Sequence, residues 1–114
     1  MLTHADLLST RCGHAEQALD QVAIDHYCRL LSGWQMQDGK LCKTFAFGNY
    51  YETLSFVNAI AWIIHREDHH PEMLVTYNRC TLRFDTHSVN DGKGGISDND
   101  FILAAKIDAL NHGA

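Results

Sequence analysis

The chain reads as an α+β domain, a four-stranded antiparallel sheet with helices packed on one face, in the order α-β-β-α-β-β-α. Three observations predict it. An apolar stripe at helical spacing opens the chain, two later segments alternate with period two about turn signals, and helix-start signatures stand where strands end. The 114 residues supply one hydrophobic core but not two, so residues 1–114 are expected as a single domain. Residues 1–13 are expected to be a flexible or short helical extension.

Residues 14–31 carry Ala15, Ala18, Leu19, Val22, Ala23, Tyr27, Leu30 and Leu31 at i, i+3, i+4 spacing, which predicts a helix stopped by Gly33. Trp34 to Phe47 reads as a hairpin turning at Asp38-Gly39, with Leu41, Phe45 and Phe47 on one face of its second strand and Lys43 among them. Asn49 with Glu52 three residues later forms a capping box. The helix it opens runs through Leu54, Val57, Ala61 and Ile64 to near Asp68, where Pro71 enforces the end. Residues 72–87 predict a second strand pair turning near Asn78. In its later strand Leu82 and Phe84 alternate with Thr81, Arg83, Asp85 and His87, so His87 is in phase with the polar face. Asn90 to Gly95 reads as a flexible, glycine-rich loop. Ser97 and Asp100 then cap a last helix through Phe101, Leu103, Ala104, Ile107 and Leu110. A sheet with one uncovered face and open edges predicts self-association.

A formal net charge of −5 argues against nucleic acid as the main ligand, because phosphate contacts need a basic surface. The longest apolar run, Asn58 to Ile64, is far short of the ~20 residues a bilayer requires. The start, Met1 to Asp6, lacks the basic and apolar regions of a signal peptide. Cys12, Cys28, Cys42 and Cys80 are scattered without a C-x-x-C pair, which suits reduced thiols in the cytoplasm.

The chemistry-bearing feature is His69-His70-Pro71, with Thr86-His87 further on. Imidazole, with an ordinary pKa of ~6.5, both gives and takes protons near neutrality. Proline pushes the residue before it out of helical geometry, so His70 should point differently from His69 and the pair could grip two edges of one small ligand. Each residue also has a plainer reading. His-His-Pro alone is a surface turn, Asp100 caps a helix whatever the protein does, Trp34 suits core packing and Tyr77 suits strand packing. The remaining histidines read as incidental. A metal site is the rival reading, with His65 and His69 on one helical face and His87 as third ligand, but no H-E-x-x-H is present and His70-Pro71 has no part in it.

The ordered set resembles the pterin-4a-carbinolamine dehydratases. It comprises His69-His70-Pro71, Tyr77 six positions after the proline, Thr86-His87 with His87 ten positions after Tyr77, and Asp100 at a helix start. Gly33-Trp34, the Phe45-x-Phe47 strand and the tail Asp100 to Asp108 are similar to that family too, so the likeness spans roughly residues 30–112. Three features depart from it: a longer, glycine-rich loop between His87 and Ser97, His65 where many members carry glutamate, and a longer region before about residue 25.

The resemblance implies dehydration of a 4a-hydroxytetrahydropterin, the carbinolamine left by aromatic amino acid hydroxylases, to quinonoid dihydropterin. The pterin would be substrate, with no cofactor and no metal. It makes His69, His70 and His87 the catalytic residues, with His69 and His87 at the proton transfers of the 4a-hydroxyl and His70 mainly holding the ring, with a part in the proton relay open to it. Asp100 would orient an imidazole, Trp34 would wall the pocket, and Thr86, Asp68 and His65 would bind or orient substrate. It also implies a cytoplasmic homodimer or homotetramer with a functional link to a hydroxylase, and no nucleic acid or membrane partner. The other class of function it allows is a protein-interaction or dimerisation module, or a pterin-binding protein without dehydratase activity. Family members that stabilise transcription-factor dimers or serve other pterin pathways exemplify it.

Overall fold

The computed structural model describes residues 1–112. Its elements are α1 (His4–Ser9), α2 (Gln21–Leu30), β1 (Gln35–Gln37), β2 (Lys40–Ala46), α3 (Tyr50–Glu67), β3 (Glu72–Val75), β4 (Arg79–Phe84) and α4 (Asp98–His112). The strands form one antiparallel sheet in the order β1-β2-β4-β3. The expected α+β architecture is present, with a short first helix added.

The helices start where side chains satisfy their free N–H groups. Thr3 and Asp6 form a reciprocal capping box on α1. The Asp20 carboxylate accepts from Ala23 N–H on α2, and the Asn49 side chain accepts from Glu52 N–H on α3. The Asp20 cap corrects the expected 14–31 helix, which begins only at Gln21. Residues 11–20 are irregular because their backbone groups pair elsewhere, with side chains of α3 and α4 and, through Leu19 N–H, with Ile96 C=O at 2.7 Å.

Asp38 and Gly39 both take positive φ, at 50° and 79°, the left-handed pair that a two-residue hairpin needs. Register then sets the faces. Leu41 lies opposite Phe84, Lys43 opposite Leu82 and Phe45 opposite Cys80, placing these six on the core side. Thr44 and Thr81 pair on the outer side, their hydroxyls 2.8 Å apart. Helices α3 and α4 cover the core side with Phe56, Ile60, Leu103 and Ile107, and Tyr27 of α2 and Leu31, which caps that helix, complete the core. Phe101 to Ala105 are all buried, so α4 is surrounded at its start and needs no single apolar stripe. The extension is tied in as well: Leu7 is fully buried, and Leu2 N–H donates to the Tyr27 hydroxyl.

The segment expected to be a flexible loop is a hydrogen-bonded one. Thr86 and Gly95 exchange both backbone bonds, at 2.8 and 3.2 Å, and Gly94 N–H donates to Val89 C=O. Val89 is fully buried beneath it. None of the four cysteines is in a disulfide. No helix is long and apolar enough to cross a membrane among the described residues.

Candidate active site

Helix α3 ends at Glu67, and Asp68 takes the left-handed conformation (φ 51°, ψ 42°), its N–H donating to His65 C=O. That reversal, followed by the restriction Pro71 places on His70, lifts both histidines off the helix axis toward the ends of β4 and α4. β4 continues its alternation beyond the strand: Cys80, Leu82, Phe84 and Thr86 are buried while His87 is exposed. Asp100 lies in the first turn of α4 and is 0 % exposed.

These elements converge on one network. His69 Nε2 is 2.6 Å from Asp100 Oδ1. The other carboxylate oxygen accepts from the Thr86 hydroxyl and from Ser97 N–H, each at 2.9 Å. Thr86 Oγ1 is 2.7 Å from Ser97 Oγ, which in turn accepts from Asn99 N–H. A carboxylate only accepts, so the hydrogen on the His69 ring is assigned to Nε2, and Nδ1 is left as its free acceptor. The ring also lies parallel to Phe84, with centroids 6.0 Å apart and planes 16° apart. His69 is thus held on two sides. Asp100 thus accepts from Ser97 N–H at the start of α4 and also contacts His69.

An open cleft of about 440 Å³ lies over this network, lined by Cys12, Gly13, His14, Ala15, Glu67, Asp68, His69, His70, Asp85, Thr86, His87, Ser88 and Asn99. That volume falls within the roughly 300–1,000 Å³ of small-molecule sites. The His87 side chain is 84 % exposed, with Asp85 Oδ1 4.0 Å from Nε2. The contrast is one imidazole locked by a buried acid and another free at the rim.

Among the residues singled out from sequence, the structure brings His69, His70, His87, Asp68, Thr86 and Asp100 together. It leaves two outside. Trp34 is a correction: it does not wall this cleft but lies in the core against Phe45 and Phe84, its indole N–H donating to Asp108 at 2.9 Å. Lys43 binds the other Asp108 oxygen at 2.8 Å. That position follows from β1 and β2 lying at the other side of the sheet from β3. His65 is exposed on α3 and is not among the cleft residues. The arrangement of His65, His69 and His87 about a metal does not form either: among the described residues no three His, Cys, Asp or Glu side chains are placed to hold one ion.

The segment Cys12 to Ala15 was not expected at the site and forms its second wall. Burial, with the Glu67 charge beside it, pushes the Cys12 thiol up to about 12, so it stays protonated and serves as packing rather than as nucleophile. His14, read from sequence as incidental, is also on this wall.

A four-stranded antiparallel sheet backed by helices, with an imidazole–carboxylate pair at the helix ends beside a histidine-lined cleft, defines a small α+β protein with a candidate ligand site. Residues 17–110 match the model of the pterin 4 alpha carbinolamine dehydratase family. The chain belongs to that family. It is 54 % identical over 110 residues to a provisionally named pterin-4-alpha-carbinolamine dehydratase of Bdellovibrio bacteriovorus, covering 96 % of this chain and 92 % of that protein. It is 45 % identical over 114 residues to a relative of the same provisional name in Nitrosomonas europaea, covering 96 % and 97 %. Among solved structures, a transcriptional coactivator/pterin dehydratase from Brucella melitensis superposes with a TM-score of 0.74 at 29 % identity, covering 82 % of this chain and 98 % of that one. A pterin dehydratase-like protein described as a RuBisCO assembly factor in the alpha-carboxysome matches with a TM-score of 0.54 at 26 % identity, covering 68 % and 84 %.

Proposed function

We propose that this protein dehydrates 4a-hydroxytetrahydropterin to quinonoid dihydropterin and water. The observation that carries the reading is the 2.6 Å pair of His69 and the fully buried Asp100 on a cleft that His70 and His87 also line. In the reaction the C4a–O bond breaks, the N5–H proton departs, and a C4a–N5 double bond forms. The leaving hydroxyl takes up one proton and leaves as water, so no proton is consumed overall. Such a step needs an acid and a base but no redox partner.

His69 and His87 serve the proton transfers at the 4a-hydroxyl. Asp100 fixes the orientation of His69 and the ring nitrogen that carries its hydrogen, which leaves Nδ1 to exchange protons with the ligand. His87, in contact with solvent, exchanges its proton with bulk water between turnovers. His70 holds the pterin ring, and Asp68 and Thr86 line its surroundings. The pterin is the substrate, and no cofactor or metal takes part. Family membership supports the reading, as do the named relatives. With it go a cytoplasmic location, a homodimer or homotetramer formed through the uncovered sheet, and a link to an aromatic amino acid hydroxylase.

A second reading draws on the assembly-factor description of one structural neighbour. In it the chain is an interaction or pterin-binding module without catalysis. Stopped-flow ultraviolet absorbance on freshly generated 4a-hydroxytetrahydropterin separates the two. The expected result is acceleration over unaided dehydration that falls about 10²–10⁴-fold in His87→Ala, the usual contribution of a general acid or base. Folded protein that gives no acceleration would sink the dehydratase reading and favour the second.

A further inference from the structure

We propose that the irregular segment Thr10–Ala15 is a substrate-binding wall and that Asn99 is the positioning residue that sets its place over the histidines. The inference rests on the pterin reading above, since it concerns how the same cleft holds its ligand.

The segment is a strap fastened through its backbone. Asn99 accepts from Gly13 N–H at 3.1 Å and donates to Gly13 C=O at 2.6 Å, satisfying both backbone groups of one residue. Glu67 accepts from Cys12 N–H at 2.8 Å, and Lys106 Nζ donates to Thr10 C=O at 2.8 Å while lying 2.9 Å from Glu67. Arg11 binds Glu67 and the Arg66 carbonyl. At its far end Ser88 donates to Ala15 C=O, so the loop after β4 holds the strap across the cleft.

What makes this a positioning device is where the fasteners sit. Asn99 directly precedes Asp100, and Glu67 stands two residues before His69. Each therefore shares a helix end with one member of the acid–imidazole pair. Asn99 is 9 % exposed and Glu67 is 6 % exposed, so neither offers much surface of its own to a ligand. What they hold in place is the strap, whose Cys12, Gly13, His14 and Ala15 line the cleft together with the histidines. Gly13 lets the backbone itself form that wall. A flat, bicyclic pterin ring is the class of ligand suited to a cleft lined by imidazoles and by a glycine-containing strap. The strap grips the ring without touching the reacting atoms, so its loss acts on affinity.

The test compares wild type, Asn99→Ala and Asn99→Asp in equilibrium binding of 7,8-dihydropterin, in dehydration kinetics and in amide exchange at Gly13. Asn99→Ala removes both bonds to Gly13, whereas Asn99→Asp keeps the acceptor for its N–H. The expected result is that Asn99→Ala weakens dihydropterin binding and raises KM by about fivefold or more while kcat falls by no more than about twofold. Gly13 exchange should accelerate in the alanine variant, and the aspartate variant should be intermediate in binding and still protected at Gly13. Unchanged binding in a folded alanine variant with a released Gly13 amide would overturn the wall and leave the dehydratase reading intact. If the alanine variant does not fold, wild-type affinity in the aspartate variant overturns it instead. Wild type that neither binds dihydropterin nor accelerates dehydration would overturn both.

Discussion

The two walls of the cleft are built by opposite means. The histidine wall is made of side chains whose partners are other side chains: His69 on Asp100, and Asp100 on the hydroxyl of Thr86, which meets that of Ser97. The strap wall is held through its backbone, by hydrogen bonds from the side chains of Asn99, Glu67 and Lys106. The first arrangement fixes which ring nitrogen carries a hydrogen. The second fixes only where a surface stands. Disturbing the first should change rate and disturbing the second should change affinity and acid tolerance, and each substitution below tests one side of that division.

The largest effect is expected at Asp100. Replacement by alanine leaves the Thr86 hydroxyl, Ser97 N–H and His69 without their common acceptor, all of them buried or nearly so. Removing one partner of a buried charged cluster costs about 4 kcal/mol, which for a domain of this size lowers Tm by roughly 15 °C. Asp100→Asn keeps the shape and part of the bonding, so it should melt much closer to wild type yet lose about 10²-fold in kcat as the ring orientation of His69 is released. Thermal melts and single-turnover kinetics on both variants read the two quantities apart. An asparagine variant with wild-type kcat would mean that Asp100 serves only as a helix cap, and the contrast between the walls would fail on its first side.

Next in size is Glu67. Burial pushes its carboxyl up, but hydrogen bonds from Lys106, Cys12 N–H and Arg11, together with the Lys106 charge, outweigh burial and hold it below the ordinary glutamate value of 4.5. A carboxyl lowered on folding stabilises the folded state when ionised. That contribution is present in full above the unfolded value and is lost as pH falls through the lower folded one. Glu67→Gln removes the charge and leaves Lys106 with only the Thr10 carbonyl, so urea unfolding at pH 7 should show a loss of about 2 kcal/mol. The gap between variant and wild type should narrow as the pH falls below the ordinary glutamate value and through the lower folded one. A gap that stays constant with pH would mean that the ionised carboxylate is not what fastens the strap.

That asymmetry also explains what the sequence made legible. The histidine wall lies on elements with strong local signals: a capping box before α3, a proline after it, period-two alternation in β4 and a second capping signature at Ser97 and Asp100. Each of those signals is read within a few residues, so His69, His87 and Asp100 could be placed at element ends before their convergence was known. The strap has no such signal. Most of it falls in the expected N-terminal extension, and its place is set by pairings to residues as distant as Asn99, 86 positions from Gly13, while the Asp20 cap shows that the expected helix over 14–31 starts later. The loop from Asn90 to Gly95 misled in a similar way, since glycines that suggest freedom are here used for positive φ at Gly92 and Gly94 inside a bonded turn. Trp34 failed for another reason. The family resemblance placed it at the site, but it lies beside β1 at the far edge of the sheet from β3, packed in the core, where Asp108 takes its indole N–H.

The smallest effect is expected at His65, and it bears on whether the histidine wall extends up α3. Helical spacing puts His65 one turn before His69, close enough for an imidazole to share a proton with it if the helix continued. It does not continue. Asp68 reverses the backbone, and His69 turns to Asp100, while His65 stays exposed on α3 outside the cleft. The bond that residue 65 does supply, its carbonyl accepting Asp68 N–H, is a backbone bond that any helix-forming residue retains. His65→Ala should therefore leave kcat and KM within about twofold of wild type, and alanine's higher helix propensity should change stability by no more than roughly 0.5 kcal/mol. A tenfold loss of kcat in a variant with unchanged melting would show that His65 reaches the locked imidazole in solution, and would place part of the proton path on α3 rather than wholly among His69, His87 and Asp100.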